Sequence, residues 1–269
     1  MTGADGSRWG GELLVEHHDG VAVVTLNRPE VNNAVTAAIH TGLAEVWTEL
    51  DADPEVRVIV LTGAGKAFSG GGDLQLLLDQ IDDRVLRDHL MAQAGTIVRS
   101  ITSVRAPIVA AVNGAAVGLG CSLAVMCDLV LVEEQAYFAD PHVALGLVAA
   151  DGGALVWPLL TGLLRAKEHI LLGDRISADE AVRIGIANRV VPAGTAKAAA
   201  LELAARLAAM PTQAVRETKA LLQRSVAAAV EHLLDDALAR ETESFDEVAF
   251  RANVQQLQAR LEGQRPDGS

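Results

Sequence analysis

Short apolar runs separated by glycine-rich turns occupy the first half of the chain, and Ala- and Leu-rich stretches with helical spacing occupy the second. Val21–Leu26 is a β-rich run that ends at Asn27-Arg28-Pro29, where Pro29 has no N–H to continue a sheet ladder. Ile39, Leu43, Val46 and Leu50 recur at helical spacing and predict an amphipathic helix over 34–50. A second strand is expected over 56–61, followed by a glycine-rich loop over 62–73, and residues 74–103 read as mostly helical. Ile108–Val112 predicts a third strand closed by Asn113-Gly114; Gly118-Leu119-Gly120 then opens a short helix through Cys127. Residues 129–132 and 136–138 predict further strands. Two strand–glycine turn–helix units with short strands between them point to an α/β fold of repeated ββα units rather than strict βαβ alternation.

From residue 161 onward the pattern is helical, and Ser177-Ala178-Asp179-Glu180 has the spacing of a capping box. The run over 212–239 is apolar on much of its surface, as in helices that pack on another subunit; covering the domain's own sheet is the other use of such a face. No linker or low-complexity tract separates the two halves.

Half of the 269 residues are hydrophobic and only 3% are aromatic, so Val, Leu, Ile and Ala must build the core. Lys and Arg total 22 against 35 Asp and Glu, a net charge of −13. That balance argues against a general nucleic-acid binder, which needs a basic face. A few local cations and backbone N–H groups can still hold a phosphorylated small molecule. Cys121 and Cys127 offer neither a disulfide framework nor zinc spacing, and no metal site is expected. The uncharged stretch 106–127 is long enough to raise the question of a membrane span, but Pro107, Asn113-Gly114, Gly118 and Gly120 interrupt it, so buried core is expected. The N-terminal residues contain no apolar run fit for a signal peptide, which makes the cytoplasm the expected location.

The first glycine loop, Thr62-Gly63-Ala64-Gly65, invites a dinucleotide-binding reading. It fails because Phe68 occupies the third required glycine position, and Pro141 rather than lysine lies four residues after Tyr137. Lys66 precedes the main glycine run, which also removes a P-loop. A better reading joins both loops. Glycine lets a ligand approach the main chain closely, and N–H groups near Gly72 and at the helix start after Gly118 are then free to donate. Two such donors from separate loops can hold one oxygen that becomes negative during reaction. Two tight turns without a ligand would leave the same glycines.

The ordered segments Asn27-Arg28-Pro29-Glu30 with Asn33-Ala34, Gly65-Lys66-Ala67-Phe68-Ser69-Gly70-Gly71-Gly72-Asp73, Ala111-Val112-Asn113-Gly114 with Gly118-Leu119-Gly120-Cys121, Cys127-Asp128, the stretch 138–146, and Leu171-Leu172-Gly173-Asp174-Arg175-Ile176-Ser177-Ala178 resemble the crotonase superfamily, which includes enoyl-CoA hydratases and isomerases. The likeness runs from about residue 12 to the C-terminus. It implies a crotonase-like spiral of ββα units over residues 1–195, carrying the active site, and a C-terminal helical trimerisation region over 196–269. Homotrimers or hexamers are implied, with an acyl-CoA thioester as substrate. Coenzyme A would enter as part of that substrate, with no permanently bound cofactor. The resemblance places the two oxyanion donors at the backbone N–H groups of Gly72 and Leu119. It places the coenzyme A site along Arg28, Ala34, Lys66 and the loop Ser69, Gly70, Gly71, Gly72 and Asp73, with Lys66 or Arg28 meeting a phosphate unless each is only a solvated charge. Asp73 and Asp128 are expected as structural caps.

Hydratases of this family flank the attacking water with two glutamates, and the aligned positions here are Ser122 and His142. Loss of a positioned acid/base group costs about 10²–10⁴ in rate, so the two-glutamate mechanism does not transfer. His142 titrates near neutrality and can serve as base or acid. Asp151 can orient its imidazole. The plainer uses are a hydrogen-bonded wall residue and a helix cap. Gly72, Leu119, His142 and Asp151 are therefore the expected catalytic set, for hydration or double-bond migration by a modified route. The His142–Asp151 spacing, with Gly152 next and Trp157-Pro158 after it, also resembles the β-diketone hydrolase branch, which cleaves a carbon–carbon bond by a retro-Claisen route without coenzyme A; Leu119 stands where that branch tends to have a second histidine. A catalytically silent acyl-CoA binder is the third reading.

Overall fold

The computed structural model describes residues 8–263. Its main sheet has six strands in the order β1-β2-β3-β4-β6-β9: Leu13–His18, Val21–Leu26, Val58–Gly63, Ile108–Val112, Leu129–Glu133 and Arg189–Val191. Only the β1–β2 pair is antiparallel; the other pairs are parallel. β2, β3 and β4 are buried along their whole length, so they read as unbroken apolar runs rather than alternating ones. A second sheet joins β5 (Ala116–Val117), β7 (Tyr137–Ala139) and β8 (Ile176–Ser177). Long strands of the repeated ββα units enter the main sheet, and short ones such as β5 and β7 enter the second.

Twelve helices fill the connections among the described residues: α1 Ala37–Ala52, α2 Leu74–Asp82, α3 Arg84–Ser103, α4 Leu119–Met126, α5 His142–Leu145, α6 Gly153–Thr161, α7 Leu163–Leu172, α8 Ala178–Ile184, α9 Ala196–Ala208, α10 Thr212–Leu222, α11 Arg224–Ser244 and α12 Val248–Gly263. The first helix starts later than its apolar spacing suggests. Thr36 caps it by accepting from the Ile39 N–H, and Val35 is drawn away to pair with the first glycine loop. The helical stretch 74–103 is broken at Asp83, whose side chain caps the second piece through the Leu86 N–H. Residues 106–127 form β4, β5 and α4 in the protein interior. Among the described residues no helix is long and apolar enough to cross a membrane.

One face of the main sheet packs on α1, α3 and α4. The other is covered by α9, which places Ala196, Ala200, Ala204 and Ala208 over Val21, Val23, Val58, Val60 and Val109. Alanine at every fourth position lets the helix lie close to the strands. Thus the first helix of the 196–269 stretch belongs to the central core. Farther on, α11 buries Val230, Leu234 and Leu238 in its own domain, against α3 and α6. That stripe realises the self-covering use of the 212–239 pattern, while Leu221, Leu222 and Leu233 stay exposed. The last helix, α12, buries Phe250 and Val254 beside α2 and α5.

Candidate active site

The first glycine loop follows the C-terminal end of parallel strand β3, and the second follows β5, which ends five residues beyond β4, the parallel neighbour of β3, on the side where open α/β sheets hold their ligands. Two asparagines shape the first loop. Buried Asn33 adopts a left-handed backbone (φ 55°), and its Nδ2 donates to the carbonyls of Ala64 and Ala67, both at 2.8 Å. Asn113 accepts from the Gly63 N–H and donates to the Gly65 carbonyl. Ser69 then stitches the loops together: its N–H donates to Ala115 O at 2.9 Å and its carbonyl accepts from Val117 N at 2.9 Å. Its Oγ donates to Asn33 O and accepts from Gly71 N. The packing leaves no room for side chains. A β-carbon on Gly120 would lie 2.5 Å from Ser69 Cβ, and one on Gly71 would lie 3.0 Å from Val117 O.

The bridge between Val35 and Gly72 uses Val35 N to Gly71 O (2.8 Å) and Asp73 N to Val35 O (3.0 Å). It therefore spends the groups on either side of Gly72 and leaves the Gly72 N–H itself without an acceptor among the described residues, at an exposed position. Leu119 is the first residue of α4, where N–H groups have no intrahelical acceptor, and its amide likewise has no partner among the described residues. The helix dipole adds partial positive charge there. Two free donors on loops that touch can share one developing oxyanion.

The titratable groups lie beside the second loop. Ser122, three residues after Leu119 on α4, is about 4.5 Å farther along the helix axis. Its Oγ donates to Asp151 Oδ1 at 2.8 Å. Asp151 Oδ2 is 3.5 Å from His142 Nε2, and His142 Nδ1 is 2.5 Å from Asp140 Oδ1. The imidazole lies against the glycine loop, with Cε1 3.8 Å from where a Gly118 β-carbon would be. Glu241, from α11, is buried as well, and its Oε2 has no partner among the described residues. The same helix holds the loop before Asp151, because Ser244 Oγ accepts from Val148 N at 3.3 Å.

Burial opposes a charge on His142, but the Asp151 and Asp140 carboxylates outweigh it and hold the imidazole well above its ordinary pKa. Burial raises Asp140 too, yet the His142 charge and hydrogen bond win and its pKa falls. Asp151 is raised by burial, with the nearby Asp140 adding to the rise and His142 and the Ser122 hydroxyl opposing it. Burial pushes Glu241 up to about 8, against the pull of His142. The charged form of His142 is thus favoured, with Nδ1 bonded to Asp140 and Nε2 facing Asp151. This changes the expected arrangement: the carboxylate closer to the imidazole is Asp140, and Asp151 lies farther off, bonded to Ser122. Asp151 is not the cap of α6 either; Gly152 stands there, with no side-chain cap bond.

Arg28 donates to Asp73 Oδ2 at 2.9 Å and to Ala34 O at 2.8 Å, and its Nε is 3.4 Å from Glu12 Oε1. It fastens Ala34 and Asp73 together, and Asp73 caps α2 through the Gln75 N–H. Asp128 accepts from Ile108 N and pairs with Lys219. Lys66 is exposed and makes no ion pair among the described residues. Gly70 is exposed, while Ser69 and Gly71 are buried.

The sequence reading missed Asp140 and Glu241. Asp140 sits two residues before His142 and also accepts its backbone N–H at 3.3 Å, a local Asx spacing visible in the chain. Glu241 takes the next place in the buried stripe Val230, Leu234, Leu238, where an acid is out of character.

The family model described as enoyl-CoA hydratase/isomerase matches residues 16–266. The short-chain-enoyl-CoA hydratase of Clostridium acetobutylicum is 34% identical over 238 residues, 87% of this chain and 88% of that protein. An enoyl-CoA hydratase/isomerase from Mycobacterium paratuberculosis has a solved structure with a TM-score of 0.89 and 46% identity, covering 91% of this chain and 98% of that one. A monofunctional enoyl CoA isomerase from M. smegmatis gives a TM-score of 0.67 at 31% identity, covering 82% and 98%.

Proposed function

The chain belongs to the enoyl-CoA hydratase/isomerase family, within the crotonase superfamily, and from that premise we propose that it moves a double bond within an acyl-CoA thioester through an enolate. The observation that carries this reading is the acid/base cluster: one carboxyl, Asp151, bridges Ser122 and His142, while Asp140 is engaged by His142 Nδ1 and buried Glu241 stands on α11. Hydration needs one group to activate water and another to protonate the α-carbon. Migration needs one group that removes a proton at one carbon and returns it at another.

The thioester carbonyl accepts from the Gly72 and Leu119 amides. Asp151 takes a proton from the substrate carbon, and the C–H electron pair moves into the conjugated system as an enolate. The two amides meet the oxygen as it becomes negative; removal of one such donor costs about 2.7–4 kcal/mol in comparable sites. Protonated Asp151 then delivers its proton to the far carbon, which regenerates the carboxylate. Its raised pKa brings it toward the working pH, where such transfers are most efficient. His142 steadies the carboxylate as a fixed positive charge. Coenzyme A lies along Ala34, Ser69, Gly70, Gly71 and Asp73, with Lys66 at a phosphate and Arg28 holding the cradle. A homotrimer or hexamer in the cytoplasm completes this reading, the exposed Leu221, Leu222 and Leu233 supplying apolar surface; analytical ultracentrifugation tests the assembly. For the chemistry, a 3-enoyl-CoA is mixed with the enzyme and the conjugated 2-enoyl thioester followed by absorbance. Thioester binding by calorimetry without any conjugated product would defeat the isomerase reading and leave a silent binder.

A second reading, retro-Claisen hydrolysis of a β-diketone, is favoured by the engagement of Arg28 with Asp73 and Glu12, which removes one of two cations expected at a phosphate. Water would add to one carbonyl, the carbon–carbon bond would break toward the α-carbon, and the resulting enolate would be protonated in the site. Turnover of a free cyclic diketone, unchanged in Lys66→Ala, would select it.

A further inference from the structure

We propose that Ser122 is a positioning residue that determines which oxygen of Asp151 carries the proton. The proposal rests on the reading of Asp151 as the proton-transfer group. Ser122 is only 1% exposed, and its backbone N–H is already spent on Gly118 O at 3.0 Å. A helical serine commonly returns its hydroxyl to the carbonyl one turn back. Here the hydroxyl reaches across to Asp151 Oδ1 instead. The approach depends on the following residue. Gly152 has φ +129°, and a β-carbon on it would lie 3.1 Å from Met126 Sδ and 3.4 Å from Ser122 Cβ. Only a glycine brings the Asp151 loop this close to α4.

The two carboxyl oxygens of Asp151 are therefore unequal. Oδ1 accepts a short, neutral hydrogen bond. Oδ2 is 3.5 Å from His142 Nε2, beyond a good hydrogen bond. With Oδ1 tied, the carboxyl plane is fixed and Oδ2 is the oxygen that exchanges a proton with substrate. The charged and titratable groups facing it are Asp140 before α5, His142 on α5, Glu241 on α11 and Cys121 on α4, whose thiol burial keeps neutral. Among the partners of Asp151, Ser122 is the uncharged donor. Its bond favours the carboxylate form, so it sets acidity as well as orientation.

The test is a pH titration of the Asp151 carboxyl carbon-13 signal in the wild-type chain and in Ser122→Ala, Ser122→Cys and Ser122→Thr. Alanine is expected to raise the Asp151 pKa by about one to two pH units, cysteine by less, and threonine to restore the wild-type value. With a 3-enoyl-CoA, alanine is expected to lower kcat while KM holds, and to move the acid limb of the kcat profile by the same shift. An Asp151 titration unmoved by alanine, or moved equally by threonine, overturns the proposal. Should the alanine variant not fold, the cysteine variant decides on the same criterion. Absence of turnover defeats the isomerase reading alone, because the titration needs no substrate.

Discussion

Replacing Glu241 by Gln keeps the side-chain volume and removes a buried titration. Glutamate in the unfolded chain ionises near 4.5, and in the fold burial pushes it up to about 8. Between those values the folded state holds one proton more than the unfolded state. Unfolding free energy therefore falls with rising pH, by about 1.4 kcal/mol per unit for this group. Below the lower value both states are protonated and nothing is lost. Across the whole interval, 4.5 to about 8, the loss reaches about 5 kcal/mol. Glutamine carries no such penalty. Urea unfolding at about pH 5, about pH 7 and about pH 9 is the assay. The variant is expected to match or slightly trail the wild-type chain at the acid end and to exceed it progressively toward the alkaline end. A stability difference that stays flat across that range would mean Glu241 ionises as freely in the fold as outside it. The reading of Glu241 as a buried neighbour of the His142 and Asp151 pair would then be wrong.

Asp151→Asn is expected to lower kcat by about 10²–10⁴ while calorimetric thioester binding persists; retained turnover would clear Asp151 of a role in proton transfer. Gly120→Ala forces a β-carbon to 2.5 Å from Ser69 Cβ, and a loss of about 1–3 kcal/mol should appear as a lower Tm. Asp140→Asn removes the closest partner of His142. The histidine pKa, read from its ring-carbon NMR signal, should fall. The stability that the ion pairing adds to the wild-type fold is full below about pH 6.5 and is lost as pH rises through the higher folded value; the variant, which keeps Asp151, should show a smaller alkaline loss. At the acid end, the Asp140 contribution is present above its unfolded pKa and disappears as pH falls through its lower folded one.

β2, β3 and β4 were legible because each is short, rich in β-branched residues or alanine and ended by Gly, Pro or Asn-Gly, and Ile108–Val112 lies where its apolar run predicts; β1, with one β-branched residue in LLVEHH, and the two-residue β5 carry no such signal and went unread. The start of α1 was less legible, since the pull of the glycine loop on Val35 is a tertiary effect that apolar spacing cannot carry. In the site, the free amide at Leu119 follows from a local helix start, while that at Gly72 depends also on the bridge to Val35. Which carboxylate grips His142 depends on a corner after β7 and on side-chain packing, so spacing suggested Asp151 while Asp140 is nearer. Glu241 was invisible for a different reason: its neighbours in space are distant in the chain, and only its place on a buried stripe of α11 betrays it.

Ser244 meets Val148 across a sequence separation of 96 residues. During synthesis the sheet and both glycine turns can therefore assemble well before the wall behind Asp151 exists. Contacts of such long range form late and slowly. A nascent chain halted ahead of α11 would hold both glycine turns without the helix that fastens the loop before Asp151, so that loop is anchored as a late step of folding rather than with the core.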